Sequence, residues 1–295
     1  MQNLRYLFFI CTCLIFFSTI GNAKEIMLTH SKEYQIVLKN KPWATFDKTL
    51  PTLLQTLQTL EDNPYFQFRY KSGSGKYTVR YGTRYDTPDG LLSATHLNLK
   101  IELSHKNGEP RSKLKLKYNC SDPDACLNLK HSERAFSYPA AKYADKARFK
   151  LELDMHQNYA KYGAGGSIKF KKQLELKTLG DAQRYFPQLK HVPGFDADTP
   201  LISIKQYYEK VFDDIKVKFA GYKAKAALVV RYHTMQSEMP ERAEFSFKLK
   251  RSGETWQQAP IVALGQVYAY FLNSDWNALK GTFKPGEFLL PVERK

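Results

Sequence analysis

Carboxylates are scarce in this chain. It holds 29 Asp and Glu against 45 Lys and Arg, a formal net charge of +16 over 295 residues. The imbalance does not imply disorder, because 43% hydrophobic and 14% aromatic residues are enough for a sizeable core. The seven histidines (His30, His96, His105, His131, His156, His191 and His233) show no paired metal spacing. There is no Gly-x-Ser-x-Gly nucleophile turn and no glycine-rich phosphate loop. Gly163-Ala164-Gly165-Gly166 reads instead as a hairpin turn. Repeats, low-complexity tracts and long linkers are also missing. A single domain over 24–295 is expected, with a candidate internal boundary near 191–200, HVPGFDADTP.

The one long apolar stretch lies at the start. Arg5 supplies a positive n-region, Leu7 to Ile20 is apolar, and Gly21-Asn22-Ala23 ends on a small residue suited to cleavage. Residues 1–23 therefore read as a secretory signal peptide. Ser18 and Thr19 interrupt the run, which falls short of the roughly 20 apolar residues of a membrane anchor. Cys13 follows Phe9-Ile10-Cys11-Thr12, a poor context for lipid attachment. The expected mature protein is exported, to the periplasm or beyond, and has no transmembrane segment. It keeps two of the four cysteines. Cys120 and Cys126 bracket Ser-Asp-Pro-Asp-Ala, and a structural disulfide closing that loop is expected in an oxidising compartment.

What is abundant is alternation. Lys113, Lys115 and Lys117 interleave with Leu114, Leu116 and Tyr118. Lys146, Arg148, Lys150, Glu152 and Asp154 interleave with Ala147, Phe149, Leu151 and Leu153. Glu244, Ser246, Lys248 and Lys250 do the same with Ala243, Phe245, Phe247 and Leu249. Arg80 and Arg84 share a face of a strand that reaches the turn Asp86-Thr87-Pro88-Asp89-Gly90. Leu97 to Leu103 then resumes the pattern, with Asn98, Lys100 and Glu102 together. Further strands are expected at Tyr65–Tyr70, Ser167–Lys177, Ile215–Phe219 and Tyr222–Tyr232, about nine in all. Helical spacing is read in Phe46–Leu60, with Pro51 near its first turn, in Ile202–Phe212 and in Ile261–Phe271. A short helix is expected over Gly180–Phe186. The fold class is therefore β-rich α+β, mostly antiparallel.

Two arrangements satisfy this pattern. A sandwich would put the apolar faces inside and the charged faces in water. A closed barrel wrapped by amphipathic helices would place the charged faces inside, which is costly unless the interior is wet or neutralised by ligands. The sequence permits both.

Tyr85-Asp86-Thr87-Pro88-Asp89-Gly90-Leu91-Leu92 followed by Leu97-Asn98-Leu99-Lys100 resembles a segment of the CYTH-like triphosphate tunnel metalloenzymes and the related polyphosphate-polymerase domains. The resemblance covers about one tenth of the chain. It implies a β-barrel tunnel with a charged lining that holds a polyanionic phosphate chain, usually with a divalent metal. The hydrolase branch carries Glu-x-Glu-x-Lys early in the domain. Here the corresponding strand reads Tyr65-Phe66-Gln67-Phe68-Arg69-Tyr70, which lacks both carboxylates. Gln173-Leu174-Glu175-Leu176-Lys177 before the short helix is similar to a later family segment and offers one acid, Glu175.

In a tunnel, the phosphate-binding candidates are Arg80, Arg84, Lys100, Lys113, Lys115, Lys117, Lys150, Arg231, Lys248 and Lys250. Arginine would bind by forked hydrogen bonds and lysine as a point charge. Glu102, Glu152, Asp154, Glu175 and Glu244 are the candidate ligands for Mg²⁺ or Mn²⁺, hard ions that take oxygen donors. Glu152 and Asp154, two apart on one strand, make the best pair. Two function classes follow: a binding protein for phosphate polyanions, and a metal-dependent hydrolase of triphosphate or polyphosphate. Tyrosine-rich basic strands also suit nucleic acid, and a basic envelope protein holding anionic surface polymers is a further class.

Overall fold

A computed structural model describes residues 29–60, 65–70, 77–120, 139–143, 145–156, 159–251 and 256–278. The expected signal peptide and Cys126 fall outside them. Ten strands are present: β1 (Ser31–Leu38), β2 (Phe66–Tyr70), β3 (Thr78–Asp86), β4 (Leu97–Lys106), β5 (Glu109–Cys120), β6 (Ala147–Met155), β7 (Ala160–Phe170), β8 (Ile202–Phe219), β9 (Tyr222–Tyr232) and β10 (Arg242–Lys250). Among the described residues four α-helices accompany them: α1 (Phe46–Thr59), α2 (Leu91–Ala94), α3 (Leu179–Gln183) and α4 (Gln258–Leu272).

Nine strands close on themselves in the order β8-β3-β4-β5-β7-β6-β1-β10-β9, with β9 returning to β8. Closure leaves no open edge in the ring. The tenth strand, β2, pairs with the far end of β8 beyond the stretch that β3 occupies. The 18 residues of β8 make this sharing possible, and its ladder with β9 shifts register between Phe212 and Ile215. The barrel is mostly antiparallel, as expected, but β1 and β6 run parallel from Ser31↔Glu152 to Tyr34↔Met155.

Most of the apolar strand faces are sealed, with Tyr81, Ile202 and Ile204 left exposed. Ile36, Leu99, Leu114, Leu116, Ile168, Leu228, Val230, Phe245 and Phe247 are fully buried. Helix α4 lies over β1 and β10, where Tyr34 meets Tyr268 edge-on at 5.4 Å and Phe271 packs on Phe245 at 5.5 Å. The Tyr268 hydroxyl donates to the Gln35 carbonyl at 3.0 Å. Helix α1 turns Leu50, Leu53 and Leu57 inward, and Phe46 at its start packs on Tyr77. Pro51 lies inside α1, beyond the expected first turn.

Three local expectations are corrected. Ile202–Phe212 is strand. From Tyr207 to Phe212 both faces of β8 are covered, so Tyr207 and Val211 on one side and Tyr208 and Phe212 on the other imitate helical spacing. Gly163–Gly166 lies inside β7 and is no hairpin turn: an added Cβ on Gly163 would sit 2.0 Å from Lys117 Cε. The glycine leaves room for a neighbouring side chain to cross. The strand expected at Ser167–Lys177 accordingly begins earlier and stops at Phe170. Strand β1 was not anticipated at all.

The Asp-Thr-Pro turn has a structural role. The buried Asp86 carboxylate accepts from the backbone of Thr87 (2.8 Å), Leu92 (2.8 Å) and Ser93 (3.1 Å), tying β3 to the start of α2. Gly90 takes φ +77 there, a conformation open to glycine.

Candidate functional site: a cation-lined lumen

Cross-strand register puts the charged residues on one continuous wall. Arg84 pairs with Lys100, Lys100 with Lys115, Lys115 with Ser167, and Ser167 with Arg148, crossing five strands. Directly opposed residues point to the same side of a sheet. Rows through Glu102 and Lys113, through Asp154, Glu33 and Lys248, and through Arg231, Glu209 and Arg80 continue the wall around the ring.

This wall faces inward. Lys117 of β5 reaches Asp154 of β6 at 2.5 Å, across the intervening β7. Lys248 of β10 reaches Glu152 of β6 at 2.7 Å, across β1. Side chains two strands apart converge on the concave face of a curved sheet and diverge on the convex one. Packing density agrees, since these lysines are hemmed in by protein yet keep partial access to water, 28% for the Lys117 side chain. The lumen is therefore wet, and the barrel arrangement, rather than the sandwich, describes the molecule.

All ten predicted phosphate-binding residues lie on this wall: Arg80 and Arg84 on β3, Lys100 on β4, Lys113, Lys115 and Lys117 on β5, Lys150 on β6, Arg231 on β9, and Lys248 and Lys250 on β10. Of the predicted metal ligands, Glu102, Glu152, Asp154 and Glu244 are also on it. Glu175 is not. It is exposed in the irregular segment between β7 and α3, because the strand expected to carry it ends at Phe170.

The lumen acids are already neutralised from within the chain. Glu102 accepts from Lys115 and lies 3.0 Å from Lys100. Burial opposes its ionisation, but these two ammonium groups prevail and hold its carboxyl well below the usual range. Burial likewise works against Glu152, yet Lys248 above all brings its pKa down to about 2. Arg231 grips Glu209 at 2.7 and 3.0 Å, Lys248 also meets Glu33 at 2.8 Å, and Arg242 meets Glu244 at 2.6 Å. Burial pushes Lys115 down to about 7, helped by the positive charge of Lys100. Two ammonium groups share one carboxylate, and Lys100 is the one held above its ordinary value: burial lowers it, and Glu102 more than reverses that.

A hard divalent cation needs several oxygen donors converging on one point. No group of three or more such ligands occurs among the described residues. Glu152, Asp154, Glu33 and Glu244 share the adjacent strands β6, β1 and β10, but each already answers a lysine or arginine, so as they stand they offer no converging donor set for Mg²⁺ or Mn²⁺.

Glu33 and Glu209 were missed by sequence reading, as was Tyr207. Glu33 stands in Ser31-x-Glu33-x-Gln35, an alternation long enough to have revealed β1. Glu209 and Tyr207 were hidden by the helical reading of β8. Tyr207 fills the space left by Gly82, where an added Cβ would lie 2.0 Å from its ring, and the Arg231 guanidinium stacks 4.5 Å from the ring centre.

No family model and no curated protein matches the chain. Among solved structures it is similar to a Hippeastrum protein, an adenylyl cyclase candidate reported to have a dominant triphosphatase activity. Identity is 12%, the TM-score is 0.42, and the match covers 89% of this chain and 99% of that one. An adenylate cyclase candidate from Bacillus halodurans matches at 11% identity and TM-score 0.41, covering 85% and 96%. A Pyrococcus horikoshii protein matches at 10% and 0.32, covering 84% and 94%. The closed barrel rests on its own strand pairings.

Proposed function

We propose that the lumen binds a phosphate-rich polyanion, such as triphosphate or polyphosphate, through the chain's own cations. The observation that carries this reading is the excess of Lys and Arg on an enclosed, wet wall whose acids are already paired. Such a wall repels itself until an anion enters. Arg80, Arg84, Lys113 and Lys150 would grip successive phosphate oxygens, and Lys100 and Lys115 can exchange Glu102 for ligand. Export is proposed as the setting, on the strength of Arg5 and the apolar Leu7–Ile20, with a mature N-terminus at Lys24 as its readout. The Cys120–Cys126 bridge belongs to the same proposal.

Calorimetry with tripolyphosphate tests the binding. Saturable binding that survives a chelator, weakens with salt and drops about tenfold or more in Lys115→Gln is expected. No binding at low salt would overturn the reading. Phosphate release assayed in parallel with Mg²⁺ and Mn²⁺ decides the hydrolase alternative: turnover abolished by chelator and by Glu152→Gln would establish it in place of simple binding.

A further inference from the structure

One end of the barrel opens into a chamber of about 1350 Å³, formed where β3, β5 and β6 begin and where β4 and β7 end. Arg80, Glu102 and Lys113 belong both to the lumen and to this chamber, so the two spaces are continuous. The rest of the lining is strongly basic: Arg148, at the end of the lumen wall, and Lys106, Lys146, Lys169, Lys171 and Lys172. All six are exposed. Inside the lumen most cations have a carboxylate partner, whereas among the described residues none of these six enters an ion pair. Among the described residues, only Asp145 and the already paired Glu102 put negative charge on the lining. Arg111, also in the lining, has a buried Nε with no acceptor.

Three properties narrow what such a space takes. Its charge demands an anion. Its volume exceeds the roughly 300 to 1,000 Å³ of common small-molecule pockets, so the anion is extended. Among the described residues its lining holds one Phe, Phe170, whose ring is already engaged edge-on by Tyr143 and Tyr185, and one imidazole, His105, with no Tyr or Trp, which is a poor platform for stacking successive bases. Resting on the lumen reading above, we propose that this chamber is a second anion-binding site, which seats the part of a long, base-free polyphosphate-type chain that extends beyond the lumen.

The test compares full-length protein binding to tripolyphosphate, to long-chain inorganic polyphosphate and to single-stranded oligothymidylate, expressed per phosphate. The variant is Lys146→Gln/Lys171→Gln/Lys172→Gln, whose three side chains are exposed and outside the lumen set. The unmodified protein is expected to favour the long chain over tripolyphosphate by about tenfold. The variant should lose most of that advantage while its tripolyphosphate affinity stays within about twofold. Its salt slope for the long chain should fall by about two, near 0.7 per lost contact on a flexible polyanion. Long-chain preference unchanged in the variant, or no preference in the unmodified protein, would overturn the chamber. Equal binding of oligothymidylate would overturn the base-free assignment. Long-chain binding that persists without any tripolyphosphate binding, and that the triple variant abolishes, would support the chamber and refute the lumen reading.

Discussion

Strand β5 carries two sets of side chains at the same spacing with opposite fates. Leu114 and Leu116 are fully buried, whereas on the other side Lys113 is half-buried and Lys115 and Lys117 keep about a quarter of their side-chain surface in water. Both faces are enclosed by protein. One is enclosed by packing, under helices and the apolar sides of neighbouring strands. The other is enclosed by curvature, around a space that solvent enters. Enclosure alone therefore does not decide whether a residue contributes to stability or to binding; what decides is whether water was removed with it. A leucine gains only where water leaves, and a lysine stays charged at tolerable cost only where water, a carboxylate or a ligand remains.

The largest expected effect tests that division directly. Leu116→Ala removes a fully buried side chain and should cost about 2 to 5 kcal/mol, by lost transfer energy and the cavity left behind. Urea unfolding reads the loss, and tripolyphosphate affinity of the folded fraction should be unchanged. Lys115→Gln should do the reverse, moving stability by less than Leu116→Ala does, because Lys100 stays on the Glu102 carboxylate, while affinity falls. If both variants lost the same property, the two faces would not be separate in function.

A smaller effect is expected where the wet face is tightly filled. Gly82 lies beneath the Tyr207 ring, and a methyl group there would collide with it. Gly82→Ala should cost about 1 to 3 kcal/mol, because an aromatic ring held under the Arg231 guanidinium cannot yield as a flexible chain end does. Gly163→Ala meets only the end of Lys117, so it should cost less. Thermal unfolding of the pair measures the difference, and equal losses would mean that Tyr207 moves as freely as a lysine.

The same division explains what could be read from the chain beforehand. Alternation is a local property, and it identified Lys113, Lys115, Lys117, Lys150, Lys248 and Lys250 as one chemical face before any contact was known. Direction is not local. The wall faces inward because Ser31 pairs with Glu152 and β9 returns to β8, and no residue near either strand announces those closures. Glu209 was lost for the opposite reason: with Tyr207 and Val211 on the lumen side and Tyr208 and Phe212 on the packed side, β8 has no polar face for alternation to reveal. Glu175 was misplaced because the glycines that shift β7 toward the N-terminus were read as a turn. The metal expectation turns on partners. Composition can count the acids, but it cannot show that Lys115, Lys117 and Lys248 already answer them.

Lys32 gives the finest probe, because it is a cation on the dry side. It lies on β1 with 5% of its surface exposed, its ammonium 5.0 Å from the centre of the Trp256 ring. Burial lowers its pKa from 10.5 to about 8. The sign follows from proton counting. Between pH 8 and 10.5 the unfolded chain holds this proton and the folded chain has released it, so folding stability rises with pH across that window. Below pH 8 the folded state carries the full cost of a buried charge, which the aromatic ring offsets in part. Lys32→Met keeps the length of the side chain and removes the charge. It should stabilise the protein at pH 7 by about 1 to 3 kcal/mol and flatten the rise between pH 8 and 10.5 relative to the parent. Replacing Lys113 by Met in the wet lumen should yield less of either effect, since water there already solvates the ammonium. Urea unfolding across the pH series reads both, and an equal gain from the two substitutions would show that the lumen is as dry as the core.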